Sequence, residues 1–297
     1  MTRAPRLPHI VIAVAVAILT LVALVVPAHA AESDALAITT VDVSKAPEVV
    51  LTVAVDGSVA TSQLDADAFT LLVSGEERAA RLAGLPTDPM QVELVIDTSG
   101  SMRGQPLEAA KGAALSLVDQ LPPAAQVGIV GFGGTPYDVS AATTDRAATK
   151  AAIASLQPSG ETALYDAVAA VTKRLTLERR AVVLLSDGRD TASTSTLEQA
   201  VGALAAARAS FYAVVLQTPE SDLAAAEALA TAAGGRVVHA ANPRALAGVY
   251  DAIAGQLASA YQLSFRATST GSTGMVVRLR ADDQTLEAEA RANIPVA

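Results

Sequence analysis

Between Val92 and Leu257 five short apolar runs alternate with stretches of helical periodicity, and this alternation constrains the fold more than any other feature of the chain. The runs are Val92–Ile96, Gln126–Phe132, Ala181–Leu185, Phe211–Leu216 and Arg236–His239. Several are apolar at nearly every position rather than at every second one, the pattern of strands in a sheet covered on both faces. Between them, Gln105–Leu121, Arg146–Leu156, Ala163–Leu175, Leu197–Ala209, Leu223–Ala233 and Ala245–Leu257 read as helices. In the first of these, Leu107, Ala110, Leu115 and Val118 fall on one stripe. Strands and helices in strict alternation predict an α/β domain built on a doubly wound, mostly parallel sheet.

Both flanks of this region change rhythm. From Leu36 to Leu85 the period is two: Pro47–Val55 alternates up to Asp56-Gly57, a turn signal, and Phe69–Val73 runs into Ser74-Gly75-Glu76. After Ser259 the same period returns in Tyr261–Arg266 and Met275–Arg280, with Thr268–Gly274 expected as a flexible link and Thr285–Ala292 as a last strand. A β segment of about sixty residues buries too little surface to stand alone. The economical arrangement pairs residues 31–90 with residues 257–297 as β-sandwich segments, the α/β domain of residues 91–256 being inserted between them.

The 297 residues contain no Cys, no Trp and three His, two of which, His9 and His29, lie in the first thirty positions. With only His239 left, the remainder has no Cys/His zinc site, no Cys nucleophile and no disulfide. The first thirty residues read as a signal peptide. Arg3 and Arg6 precede an apolar run from Ile10 to Val26, which ends in Pro27-Ala28-His29-Ala30. Cleavage after Ala30 is expected, which places the product outside the cytoplasm, secreted or in the cell envelope. The alternative is a retained anchor, since the run approaches the ~17–25 residues that span a bilayer; membrane attachment is expected only in that case. Removing Arg3 and Arg6 takes the net charge from −9 to −11. So acidic a chain is not expected to take nucleic acid or an anionic membrane surface as its main partner.

The chemistry-bearing residues lie at strand ends. Val92–Ile96 runs into Asp97-Thr98-Ser99-Gly100-Ser101, a carboxylate and two hydroxyls at alternate positions, where open α/β sheets bind ligands. Such oxygens suit Mg²⁺ or Mn²⁺. Taken alone, the triplet reads equally well as an Asp that caps the next helix or closes a turn. Two further pieces add to it. Ser159-Gly160-Glu161-Thr162 brings a Thr hydroxyl to a helix start, and Ala181–Leu185 ends in Ser186-Asp187-Gly188, a second strand-end carboxylate.

With these three pieces in this order, the stretch from Gln91 to Gln256 resembles the von Willebrand factor type A (vWA) domain and its metal-ion-dependent adhesion site, in bacterial exported form. The resemblance implies a Rossmann-like fold in which Asp97, Ser99, Ser101, Thr162 and Asp187 hold Mg²⁺ or Mn²⁺, with one position open to an Asp or Glu of a protein partner. It implies a binding module and no enzyme. Glu161, beside Thr162, is either a solvated loop side chain or an internal occupant of that open position. Gly131-Phe132-Gly133-Gly134 lacks a following helix and is not a phosphate cradle. His239 carries no expected role, and Asp166 and Asp190 are expected near helix starts, where the dipole favours them. Two other functions stand beside the binding module: a structural or assembly component of an envelope or secretion-type complex, and a metal-dependent hydrolase, for which no His or Lys is placed as a base.

Overall fold

The structure is a computed structural model that describes residues 35–55, 59, 64–219, 221–233, 235–281 and 284–295. Residues 1–30, expected as a signal peptide, and Asp56-Gly57, expected as a turn, lie outside the described residues.

The chain opens with β1 (Leu36–Lys45) and β2 (Glu48–Val55), followed by β3 (Phe69–Val73), β4 (Glu76–Arg78) and β5 (Arg81–Gly84). The α/β region then runs β6 (Met90–Asp97), α1 (Gln105–Gln120), β7 (Gln126–Phe132), β8 (Pro136–Thr143), α2 (Arg146–Ser155), α3 (Leu164–Thr172) and β9 (Arg179–Ser186). It continues through α4 (Leu197–Ala207), β10 (Ser210–Leu216), α5 (Leu223–Ala233), β11 (Arg236–Ala240) and α6 (Leu246–Ala258). The chain closes with β12 (Ala260–Arg266), β13 (Gly271–Ala281) and β14 (Gln284–Ile294).

The central sheet has the order β11-β10-β9-β6-β7-β8, parallel throughout except for β8, which returns antiparallel on β7. All eight residues of β6 are buried, as its central place in the sheet requires, and this includes the polar Gln91 and Glu93 within the mostly apolar run. One face of the sheet packs Leu107, Leu117, Ile153, Leu246 and Ile253 of α1, α2 and α6. The other packs Leu164, Val168, Leu204 and Leu229 of α3, α4 and α5. The sequence did not signal β8: it pairs as an edge strand with irregular register and buries none of its residues, so it has no apolar run to show.

Two antiparallel sheets flank this domain, β1-β2-β12-β5 and β14-β13-β3-β4, and enclose a third core around Leu51, Val53, Leu71, Leu263, Val277 and Leu279. The fold class is therefore α/β, with the doubly wound sheet inserted between β-sandwich segments. The strands of the two flanks interleave. β12 lies between β2 and β5, and β13 lies beside β3. One expectation is corrected: the segment Thr268–Gly274 is not a link throughout, because β13 begins at Gly271 and pairs there with Ile294. Two glycines and polar neighbours hide a strand whose long partner, β14, supplies the ladder.

A candidate cation site at the carboxyl ends of β6 and β9

After β6 the chain winds outward to β7, and it later returns to place β9 on the other side of β6. The winding direction changes there, and the crevice beyond the carboxyl ends of β6 and β9 is where such sheets take ligands. Asp97 is the last residue of β6 and Asp187 follows β9 directly. Beyond Asp97 the chain makes a single 3-10 turn, Gly100–Met102, and Gly104 at φ 82° turns it into α1. Ser99 stands at the N-cap of that turn without using its side chain as a cap, which leaves the hydroxyl for other partners.

Four of the five residues expected in the site are joined by hydrogen bonds. The Ser101 hydroxyl donates to Asp187 Oδ1 at 2.8 Å, and the Ser99 and Ser101 hydroxyls lie 2.9 Å apart. Asp97 Oδ1 accepts the Ser99 N–H at 2.8 Å, so Asp97 also closes its own turn. The fifth, Thr162, is buried beside the third loop: a Cβ built on Gly188 would lie 3.9 Å from its Oγ1. Asp97, Ser99, Thr162 and Asp187 are all buried, whereas Ser101 is exposed and marks the open side of the cluster.

The loops are stitched by their backbones. Thr98 N donates to Phe132 O at 2.7 Å, Ser159 N to Thr98 O at 2.6 Å, and Gly100 N to Gly160 O at 2.9 Å. Ala163 N donates to Gly133 O at 2.8 Å, and the amides of Thr191 and Ala192 to Thr162 O at 2.8 and 3.1 Å. Such close approach dictates glycine. A Cβ on Gly133 would overlap the Ser159 carbonyl oxygen, and one on Gly160, already at φ +75°, would lie 2.5 Å from Gly134 N. The Gly133-Gly134 pair is thus the seat of the Thr162 loop.

Sequence reasoning missed several supports. Ser186 donates to Asp97 Oδ2 at 2.7 Å, and Thr218 and Ser221 donate to the Asp187 carbonyl at 2.6 and 3.3 Å. A polar residue ending an otherwise apolar strand was the available signal for Ser186. Asp190 stands at a helix start, as expected, but at that of α3 and not of the helix that follows it. It reaches across to α3, accepting the Tyr165 amide at 3.2 Å, while Asp166 in the first turn of α3 accepts the Thr194 and Ser195 amides at 2.9 Å. Each carboxylate satisfies donors of the other's segment. Glu161 is exposed, and His239 is an exposed residue of β11.

Burial pushes the Asp97 carboxyl up to about 6, against the lowering effect of its Ser186 and Ser99 hydrogen bonds and with a further rise from Asp187. A cation at this position would reverse that balance. Among the described residues no group of three His, Asp or Glu side chains is placed to hold a metal ion. The donor set here is two carboxylates and three hydroxyls, hard oxygens only. It fits a small divalent cation that retains water and needs one or two carboxylates.

Residues 92–189 match the family model of the von Willebrand factor type A domain, and the chain carries a domain of that class. A UPF0353 protein of Mycobacterium ulcerans is 33% identical over 156 residues, an alignment covering 47% of this chain and 45% of that protein. The chain thus matches about half the length of such relatives. Among solved structures, a von Willebrand factor type A protein from Catenulispora acidiphila aligns with TM-score 0.51 and 16% identity, over 88% of this chain and 71% of that one. Proximal thread matrix protein 1 from the mussel byssus, described with a zinc-occupied adhesion-site motif, aligns with TM-score 0.53 and 17% identity, over 63% of this chain and 50% of that one. Both show the same fold.

Proposed function

We propose that this chain is an exported protein-binding module that engages a partner's Asp or Glu through a divalent cation, Mg²⁺ or Mn²⁺, and that it is not an enzyme. The observation that carries the reading is the hydrogen-bonded run Ser99–Ser101–Asp187, with Asp97 beside it, which gathers hard-oxygen donors from two separate loops at one crevice. The zinc-occupied motif of the byssus protein supports a metal on this fold. Asp97, Ser99, Ser101, Thr162 and Asp187 would hold the ion. When bound, it supplies an electrophilic position for a carboxylate oxygen. Ser186 and the Ser99 amide fix Asp97, while Thr218 and Ser221 fix the loop of Asp187. The exposed Ser101 leaves that position accessible from solvent. Mg²⁺ is held modestly by one or two carboxylates, so ion and partner are expected to raise each other's affinity by the same factor.

Calorimetric titration of Mg²⁺ and Mn²⁺ into wild type, Ser101→Ala and Asp97→Asn tests the reading. Saturable heat is expected from wild type, with loss in both variants while their far-UV spectra stay unchanged. Equal heats from all three proteins would remove the metal from the mechanism. The placement outside the cytoplasm rests on the N-terminal pattern of Arg3, Arg6, the apolar run and Ala28-His29-Ala30. Mass spectrometry of the exported chain should find Ala31 first; an intact Met1 on membrane-bound protein would favour an anchor.

A further inference from the structure

At the opposite end of the central sheet, where β9 and β10 begin, a cleft of about 240 Å³ opens against the sandwich strands β1, β2 and β12. Its wall carries Lys45, Arg179, Arg180 and Arg208 against two carboxylates, Asp42 and Glu178. In a chain of net charge −9 this local excess of cations stands out.

The four cations are not alike. Arg179 is saturated: its guanidinium donates to the carbonyls of Pro86, Asp88, Leu257 and Ala260 at 2.7–3.4 Å, which are the two crossings between sandwich and α/β domain. That residue is structural. Lys45, Arg180 and Arg208 form no ion pair and no side-chain hydrogen bond among the described residues, and the Arg180 Nε is buried without a partner. Leaving a buried donor unsatisfied is costly, more so on a charged group. Three unpartnered cations around one cleft also repel one another. Neutral donors stand beside them: Thr40 and Ser210, whose hydroxyls meet at 2.9 Å across the junction, and the Gln262 amide.

We infer that this cleft binds a small oxyanion, a phosphate group or one of its size and charge, gripped by Arg180, Arg208 and Lys45 with hydroxyl support from Thr40 and Ser210. Guanidinium groups match oxyanions in a planar, multiply hydrogen-bonded way. A cleft of this size suits a phosphate with a small substituent and excludes a folded partner. Because its walls come from both modules, the ligand would join sandwich to α/β domain. The site is independent of the proposed cation site, which lies beyond the other ends of the strands.

The test is calorimetric titration of inorganic phosphate into the full chain, free of divalent cations and at constant ionic strength, with acetate and chloride as parallel probes. One saturable site is expected for phosphate, with binding about tenfold weaker in Arg180→Gln and in Arg208→Gln, the loss of one hydrogen bond to a charged group. Asp97→Asn should bind phosphate as wild type does, and phosphate should shift thermal unfolding of both upward, and that of the two arginine variants by less. A stronger response to acetate would replace phosphate by a carboxylate as the ligand and overturn the phosphate assignment. Equal responses to phosphate and chloride, or undiminished binding in both arginine variants, would reduce the cleft to unspecific screening of crowded cations and overturn the site.

Discussion

Glu93 lies in the middle of β6 with no exposed side-chain surface, an unusual place for a carboxylate. Gln91 Nε2 donates to its Oε1 at 2.7 Å and Arg174 Nε to its Oε2 at 3.0 Å. The Arg174 guanidinium also pairs with Asp138 and donates to Ser140 O at 2.6 Å. Burial nevertheless pushes the Glu93 carboxyl above 4.5, because desolvation outweighs the lowering by Gln91 and Arg174. A carboxyl raised in the folded state contributes stability below its unfolded value and loses it as pH rises through the folded value. Glu93→Gln keeps the shape and removes the titration. Urea unfolding of both proteins from pH 4.5 to 8 should therefore show the stability difference moving toward the variant as pH rises. Movement toward wild type would mean that attraction to Arg174, and not burial, governs this carboxyl.

At the scale of elements, α3 explains why a nine-residue helix keeps so fixed a place. Its N-terminal side carries the Thr162 loop, seated on Gly133 and clasped to the third loop by the exchanged carboxylates Asp166 and Asp190. Beyond its C-terminal end Arg174 ties it to β6 and β8. Neither clasp was legible in the sequence, for a physical reason: side-chain bonds between segments about 25 or more residues apart leave no periodic mark. What left a mark was burial. The runs Val92–Ile96 and Ala181–Leu185 became β6 and β9 because a central strand must be apolar on both faces, and Asp97 and Asp187 stood out as the residues that ended them. Ser186 could have been noticed on the same ground, whereas β8 could not, since an edge strand with no buried residue has no pattern to read. Helix ends were legible to within a few residues; α3 is shorter than the apolar spacing over Ala163–Leu175 implied, because the chain leaves the helix at Lys173 to deliver Arg174 inward.

At the scale of the molecule, two bodies of core share one chain without sharing residues. The two clusters on either face of the central sheet draw only on residues between Met90 and Leu257, and the sandwich cluster draws only on the flanks. The junction is polar: Arg179 binds both crossing segments, and Thr40 meets Ser210. Hydrophobic burial supplies most folding free energy, so each core should fold once its own strands are present. Residues 91–256 alone should therefore unfold cooperatively, at a lower temperature than the full chain because Arg179 loses its four carbonyls. Residues 31–90 alone should not fold, since β2 and β3 would lack their neighbours β12 and β13. The sharper test joins residues 35–85 to residues 260–295 by a short Gly-Ser link. Gly84 and Gln262 are already paired across β5 and β12, so the ends need little chain to meet. Circular dichroism of this fusion should show a β spectrum with one thermal transition. A cooperative transition from residues 31–90 by themselves, or none from the fusion, would show that the flanks do not make one module and that the sandwich depends on the α/β domain for its core.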